Sequence, residues 1–221
     1  MFTTPRVTPQ EAWETLEHGN LRFMDDTLEH PQQGAARRSE LSTSQAPNAA
    51  FLGCSDSRVA AEILFDCGLG DLFVVRNIGQ ISNANTIATM EFAVAELGVA
   101  VIVVLAHCSC GAVAAAVDQS NANPSEVSDA IKRELNEILP AVQQEWLSEH
   151  RETPYVDPDL IDADAVGRRH LRNTINALMR DSKIISDAVA SGALGIVGCQ
   201  YQLAEGRVAP IAAVGKLSIE L

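Results

Sequence analysis

No apolar run in this 221-residue chain approaches the roughly 20 residues that a helix needs to cross a bilayer. The opening segment, MFTTPRVTPQEAW, has no basic flank leading into an apolar core, so no secretory signal is expected. Basic residues are scarce: 16 Lys and Arg stand against 29 Asp and Glu, a formal net charge of −13. Without a positive footprint, nucleic acid and anionic membrane are not expected partners. The glycine motifs GxGxxG, GxxxxGK[ST] and GxSxG are missing, which removes the anchors of dinucleotide, nucleoside triphosphate and serine-hydrolase chemistry. The cysteines, at 54, 67, 108, 110 and 199, are odd in number and lie mostly in strand-like runs. They fit free or metal-bound thiols in a reducing cytoplasm better than a disulfide framework. Internal repeats and long linkers are also absent. One domain over 1–221 is expected, with 1–48 an N-terminal arm and loop and 49–221 an α/β core.

What is present is a regular alternation of strand and helix patterns. Thr8 and Pro9 cap a helix over 8–27 that carries Ala12, Trp13, Leu16, Phe23 and Met24, with Gly19-Asn20 expected to break or bend it. That helix could pack on its own subunit or reach a partner, and the pattern does not choose. Residues 28–48 read as a polar loop with one short helix. Strands are predicted at Ala49–Cys54, Leu72–Arg76, Val99–Ala106 and Leu194–Leu203, and a hairpin partner at Arg207–Val214. The third is a continuous β-branched run of the kind buried on both faces of a parallel sheet. Helical spacing falls at 59–65, 85–97, 112–117, 126–149 and 163–190, with a proline-punctuated loop through Pro154 and Pro158. The expected architecture is α/β: a mostly parallel central sheet with an antiparallel edge strand, flanked by helices, with an N-terminal helical arm.

Two of these strands end in residues that bind metals or move protons. FLGCSDSRV (51–59) delivers Cys54, Asp56 and Arg58, and VIVVLAHCSCGAV (101–113) delivers His107 and Cys110. If the strands are parallel neighbours, their carboxyl ends open onto one crevice. Two thiolates and an imidazole there make a three-ligand zinc site with one position open. Cys108 leaves alternatives: it could be the ligand in place of Cys110, or half of a Cys108–Cys110 redox pair. Asp56 and Arg58 would elsewhere be a surface ion pair of little worth. Beside a metal, that carboxylate could orient a bound water, or leave the arginine and close the open position. A phosphatase loop needs an arginine six residues after its cysteine, and position 60 is Ala60.

CSDSRV followed by HCSCGAV resembles the β-class carbonic anhydrases, and the likeness extends from about Trp13 to about Gly206. GDLFVVRNIG (70–79) and TIATMEFAVAELGV resemble that family's second strand and the helix before its third. The resemblance implies zinc held by Cys54, His107 and Cys110, with an Asp56–Arg58 dyad and Asp56 as a fourth ligand in a closed form. It implies reversible hydration of carbon dioxide to bicarbonate and a proton by attack of zinc-bound hydroxide. Gln45 falls where plant-like members place a glutamine that reaches substrate across a subunit interface. Phe73, Ile78 and Phe92 fall near positions that wall the carbon dioxide pocket, and the amide of Gly111 lies beside it. A homodimer or homotetramer with its site at the interface is therefore implied. Some members bind regulatory bicarbonate through Trp, Arg and Tyr; Arg76 and Tyr201 match, but Phe51 replaces the tryptophan. Cys108 replaces a residue that is usually polar, an expected liability to oxidation. For proton export, His18, His30, His150 and His170 are candidates by titration range alone. Hydrolysis of carbonyl sulfide or carbon disulfide on the same zinc site, and a non-catalytic zinc or redox sensor, are the alternatives.

Overall fold

A computed structural model describes residues 3–153 and 155–221; Pro154, within the expected proline-punctuated loop, lies outside the described residues. The first helix, α1 (Pro9–Met24), is closed by a capping box in which Thr8 and Glu11 satisfy each other's backbone amides. It runs unbroken through Gly19-Asn20, contrary to the expected bend. Gly19 is present because a Cβ there would sit 1.8 Å from the Phe65 carbonyl oxygen, so the two backbones touch. The Asn20 side chain donates to the carbonyls of Leu64 and Gly206 and accepts from the Val208 amide at 2.8 Å. The pair is a docking point, and α1 packs back onto its own chain through Ala12, Trp13 and Leu16.

After the short α2 (Ala35–Glu40) come β1 (Ala49–Cys54), α3 (Ala61–Leu64) and β2 (Leu72–Asn77). α4 (Ala84–Phe92) continues into a π-helical turn, Ala93–Leu97, which Gly98 ends in the left-handed conformation. Then follow β3 (Val101–His107), α5 (Gly111–Gln119), α6 (Asp129–Leu135), α7 (Leu139–Glu149), α8 (Ala163–Asp181), α9 (Lys183–Ser191), β4 (Gly195–Gln202) and β5 (Arg207–Val214). Two expected helices are each divided. The span 126–149 breaks between Leu135 and Leu139, where Pro140 opens α7 in a first-turn position that needs no amide. The span 163–190 breaks at Ser182, which turns extended and caps α9 by accepting from the Ile185 amide.

The sheet order is β2-β1-β3-β4-β5, with β5 antiparallel and the rest parallel. Pro210 sits in that outer antiparallel strand, where a missing amide is tolerated. Alternation divides the strands cleanly between two faces. Phe51, Val101, Val103, Leu105 and Val197 pack under α1 and α3; Ala50, Leu52, Ile102, Val104 and Ile196 pack under α4, α8 and α9. A third cluster lies past the carboxyl ends of the strands, built by Ile81, Ala112, Val113, Leu135, Ile138 and Val142. Cys54 and Cys110 belong to it.

Candidate metal centre

Parallel pairing sets Gly53 opposite Leu105, so Cys54 and His107 emerge together at adjacent strand ends. Beyond His107 the chain reverses at Ser109, whose φ of 52° is left-handed. The turn is held by Asp164, which accepts from the Ser109 amide at 3.0 Å, and by Arg58, which donates to the Ser109 carbonyl at 3.4 Å. It swings Cys110 back toward Cys54 at the start of α5. Cys108 faces the other way, its Sγ accepting from the Leu203 amide at 3.3 Å. The candidate ligand atoms of Cys54, His107 and Cys110 lie within 4.8 Å of one another, and all three residues are buried. A tetrahedral zinc with bonds of about 2.0–2.3 Å needs its ligands roughly 3.3–3.8 Å apart, separations that fall inside this limit.

The imidazole is prepared for ligation. Nδ1 of His107 lies 3.0 Å from the Cys108 carbonyl, which fixes the proton on Nδ1 and leaves the Nε2 lone pair free. Buried Nε2 has no protein hydrogen-bond partner. An orphaned imidazole nitrogen facing two thiols is the donor set that zinc fits. The thiols share charge: the neighbouring Cys110 thiol lowers the pKa of Cys54 against a desolvation cost, while Cys110 itself is pushed up by that sharing. Burial disfavours charge on His107, but the neighbouring Cys54 thiolate leaves its pKa raised overall.

Asp56 lies beside this cluster, Oδ2 being 3.9 Å from His107 Nε2. Arg58 clamps it through Nε to Oδ1 at 2.9 Å and Nη2 to Oδ2 at 2.7 Å, and the Arg58 amide adds a third bond at 2.9 Å. This clamp holds the carboxyl well below the usual carboxylate range. Arg76 supports the loop from below, donating to the carbonyls of Cys54 at 2.9 Å and Asp56 at 2.6 Å. It is thereby occupied with main chain, and Phe51 fills the space above Gly53, where a Cβ would meet its ring at 2.4 Å. Tyr201 is buried at the end of β4 beside His107.

The other expected site residues divide. Ile78 packs in the cluster that holds Cys54 and Cys110, and Gly111 leaves open space where a Cβ would stand. Gln45 is exposed in the loop before β1, beside Leu41, Leu69 and Gly70, at the amino-terminal edge of the sheet and thus opposite the metal ligands. Phe73 pairs with Ala50, four residues and roughly 13 Å back along the strand from Cys54. Its ring lies 6.1 Å from that of Phe92, which is 49% exposed. Within one chain, then, Gln45, Phe73 and Phe92 do not reach the cluster. His18 and His30 are exposed, His150 stacks on Trp146, and buried His170 is driven down to about 4 by desolvation. The role of Arg76 under the ligand loop was not anticipated; its place in VVRN, opposite Gly53 in the β1–β2 register, was the available signal.

An open α/β sheet with a cysteine–histidine–cysteine cluster at its carboxyl edge defines the class: a protein with a candidate metal centre of catalytic layout. A family model described as carbonic anhydrase matches residues 49–208. Carbonic anhydrase 2 of Mycobacterium tuberculosis is 38% identical over 220 residues, covering 98% of this chain and all of that one. A carbonic anhydrase of Mycolicibacterium smegmatis is 40% identical over 207 residues, 92% of this chain and 94% of its own. Among solved structures, a tetrameric β-carbonic anhydrase of Sordaria macrospora superposes with a TM-score of 0.69 at 22% identity, over 93% of this chain and all of that one. The Coccomyxa β-carbonic anhydrase in complex with acetazolamide gives 0.68 at 23%, over 89% and 85%. This chain belongs to the carbonic anhydrase family, with the β-class fold.

Proposed function

We propose that the protein reversibly hydrates carbon dioxide to bicarbonate and a proton, with zinc held by Cys54, His107 and Cys110. The observation that carries this reading is the buried trio with an orphaned His107 Nε2, flanked by an Asp56 carboxylate already clamped by Arg58. Bound zinc would supply Lewis acidity, bringing the pKa of a water toward about 7. The protein's own groups do the rest. Asp56, fixed by two guanidinium bonds and the backbone amide of Arg58, accepts a hydrogen bond and so would orient the reacting oxygen. Ile78, Ile81 and Ala112 make an apolar wall suited to a small nonpolar gas. The Gly111 amide, at the first turn of α5, is a donor for the developing carboxylate oxygens.

The reading extends to assembly. Gln45, Phe73 and Phe92 belong to a site only if a second copy brings them there, so the active unit is a homodimer or homotetramer with shared sites. No helix among the described residues is long and apolar enough to cross a membrane. Five free thiols, four of them buried, favour the cytoplasm over an oxidising compartment.

Stopped-flow hydration of carbon dioxide, run beside zinc analysis and a sulfide-release assay on carbonyl sulfide, tests the proposal. Wild-type protein should carry one zinc per chain and hydrate carbon dioxide; Cys54→Ala should lose both together. Brisk hydration by a zinc-free preparation would end the reading, and turnover of carbonyl sulfide alone would replace it. Gln45→Ala should keep zinc and lose turnover, and unchanged turnover would remove the shared-site part.

A further inference from the structure

The chain leaves β2 through a tight turn, and that turn stands over the Cys54 sulfur. Asn77 closes it: the Asn77 side chain accepts from the Ile81 amide and donates to the Ile81 carbonyl, both at 2.8 Å. Two consecutive residues inside the turn are left-handed, Gly79 at φ 76° and Gln80 at φ 45°. For Gln80 that conformation costs on the order of 1 kcal/mol, and it persists only where surroundings impose it. A Cβ at Gly79 would stand 2.8 Å from Ile138 and 3.1 Å from Ala112, so the turn is also pressed against α5 and the α6–α7 junction. The turn borders Cys54: Asn77 is its partner in the β1–β2 register, Ile78 and Ile81 pack in the same cluster, and the Gly79 amide lies on the side that favours the thiolate.

What imposes the strain comes from another element. His170 of α8 places Nε2 at 2.8 Å from the Gly79 carbonyl, and the Thr174 hydroxyl, one turn further on the same face, shares its single proton between the His170 carbonyl at 3.0 Å and the Gln80 carbonyl at 3.3 Å. Both side chains are buried, at 3% and 2% exposure, and neither touches the cluster. We propose that His170 and Thr174 are positioning residues for the Cys54 thiolate, acting through the Gly79–Gln80 turn whose carbonyls they hold. This inference rests on the cluster being a metal centre. The α8 grip on the Gly79 carbonyl fixes the Gly79–Gln80 peptide and with it the left-handed turn, which sets the preceding Gly79 amide relative to Cys54. An N–H bond to a ligating thiolate lowers the energy of its lone pairs and tunes the metal. His170 also borders an open cavity of about 300 Å³ shared with Ser82, Gln144 and Asn173, so a side chain of different shape can be seated without displacing α8.

Cobalt-loaded full-length protein tests this through the sulfur-to-cobalt charge-transfer absorption and the equilibrium affinity for cobalt. His170→Met fills the space but has no donor; His170→Gln carries an amide N–H at about the position of Nε2. The methionine variant should bind cobalt about 10–100-fold more weakly, the usual effect of losing an outer partner, and show a red-shifted band. The glutamine variant should restore both toward wild type. Wild-type affinity and band in His170→Met would overturn the proposal, and so would equal losses in both variants, which would assign His170 to packing. Should His170→Met not fold, Thr174→Val carries the test: a smaller red shift supports the grip, and an unchanged band overturns it. If wild-type protein binds neither cobalt nor zinc, the metal reading itself falls, an outcome distinct from a wild-type-like methionine variant.

Discussion

Acid should destabilise this protein through His170 well before it reaches the carboxylates. Buried among α8, the 79–82 turn and Thr174, the imidazole is driven to about 4 by desolvation, with the Gly79 carbonyl opposing weakly. In the unfolded chain the same ring titrates near 6.5, so between about 4 and 6.5 the unfolded state binds more protons than the folded one. The associated stability is therefore complete above about pH 6.5 and is lost as pH falls toward 4. At about 1.36 kcal/mol per pKa unit the whole effect is roughly 3 kcal/mol, of which about 2 kcal/mol is gone by pH 5. Urea unfolding of wild type and His170→Gln at pH 7.5 and pH 5 isolates it, because all other titrating groups are common to both. Wild type should lose about 2 kcal/mol more than the variant on that descent. Parallel losses would mean that the ring takes up its proton without unfolding, and the burial argument would be wrong.

Asp56→Ala should retain zinc yet lose on the order of 10²-fold or more in turnover, since positioning goes while ligation stays; stopped-flow rates on zinc-assayed protein decide it. Asn20→Ala strands the Leu64 and Gly206 carbonyls and the Val208 amide, and should lower the unfolding free energy by about 2–4 kcal/mol with cobalt affinity unchanged. A loss below about 0.5 kcal/mol would show that water replaces the amide without penalty. Gly79→Ala must both adopt a left-handed φ and displace Ile138. It should weaken metal retention more than it lowers the melting temperature, and the reverse order would place the turn's importance in folding rather than at the sulfur.

Strands and ligands were legible because they depend on local pattern. Ala49–Cys54 and Arg207–Val214 appear with the bounds the alternation implied, and the spacing was enough to single out Cys54 and His107 with one of Cys108 and Cys110. The misreadings at Gly19-Asn20 and Ser182 involve partners distant in sequence. Gly19-Asn20 looks like a helix break until Phe65 and Val208 are seen to require a bare backbone and an amide there. Ser182 looks like a tolerable helical serine, but its hydroxyl also donates to Glu91 at 2.6 Å while capping α9, which anchors the kink. The choice between Cys108 and Cys110 was undecidable from CSC alone. It turns on Ser109 entering the left-handed region and on Leu203 offering an amide to the wrong sulfur.

The location of the centre follows from chain topology as much as from its ligands. From β1 the chain steps outward to β2, then crosses back over β1 to place β3 on its other side. Helical crossovers therefore leave the carboxyl ends of β1 and β3 in opposite directions, and a crevice opens between them. Cys54 ends the first of these strands and His107 the second. The crevice is closed by Cys110, three residues after His107 and just before α5, and from later in the chain by α8 through His170 and Thr174. All three candidate ligands lie by residue 110, yet their geometry depends on α8, which follows much later in the chain. The third ligand depends on the Ser109 turn, which Asp164 at the start of α8 holds, and the first depends on the Gly79 turn, which the middle of α8 holds. A single helix 19 residues long thus fixes both sulfurs from outside. Substitutions at Asp164, His170 and Thr174 should act on the metal before they act on the fold.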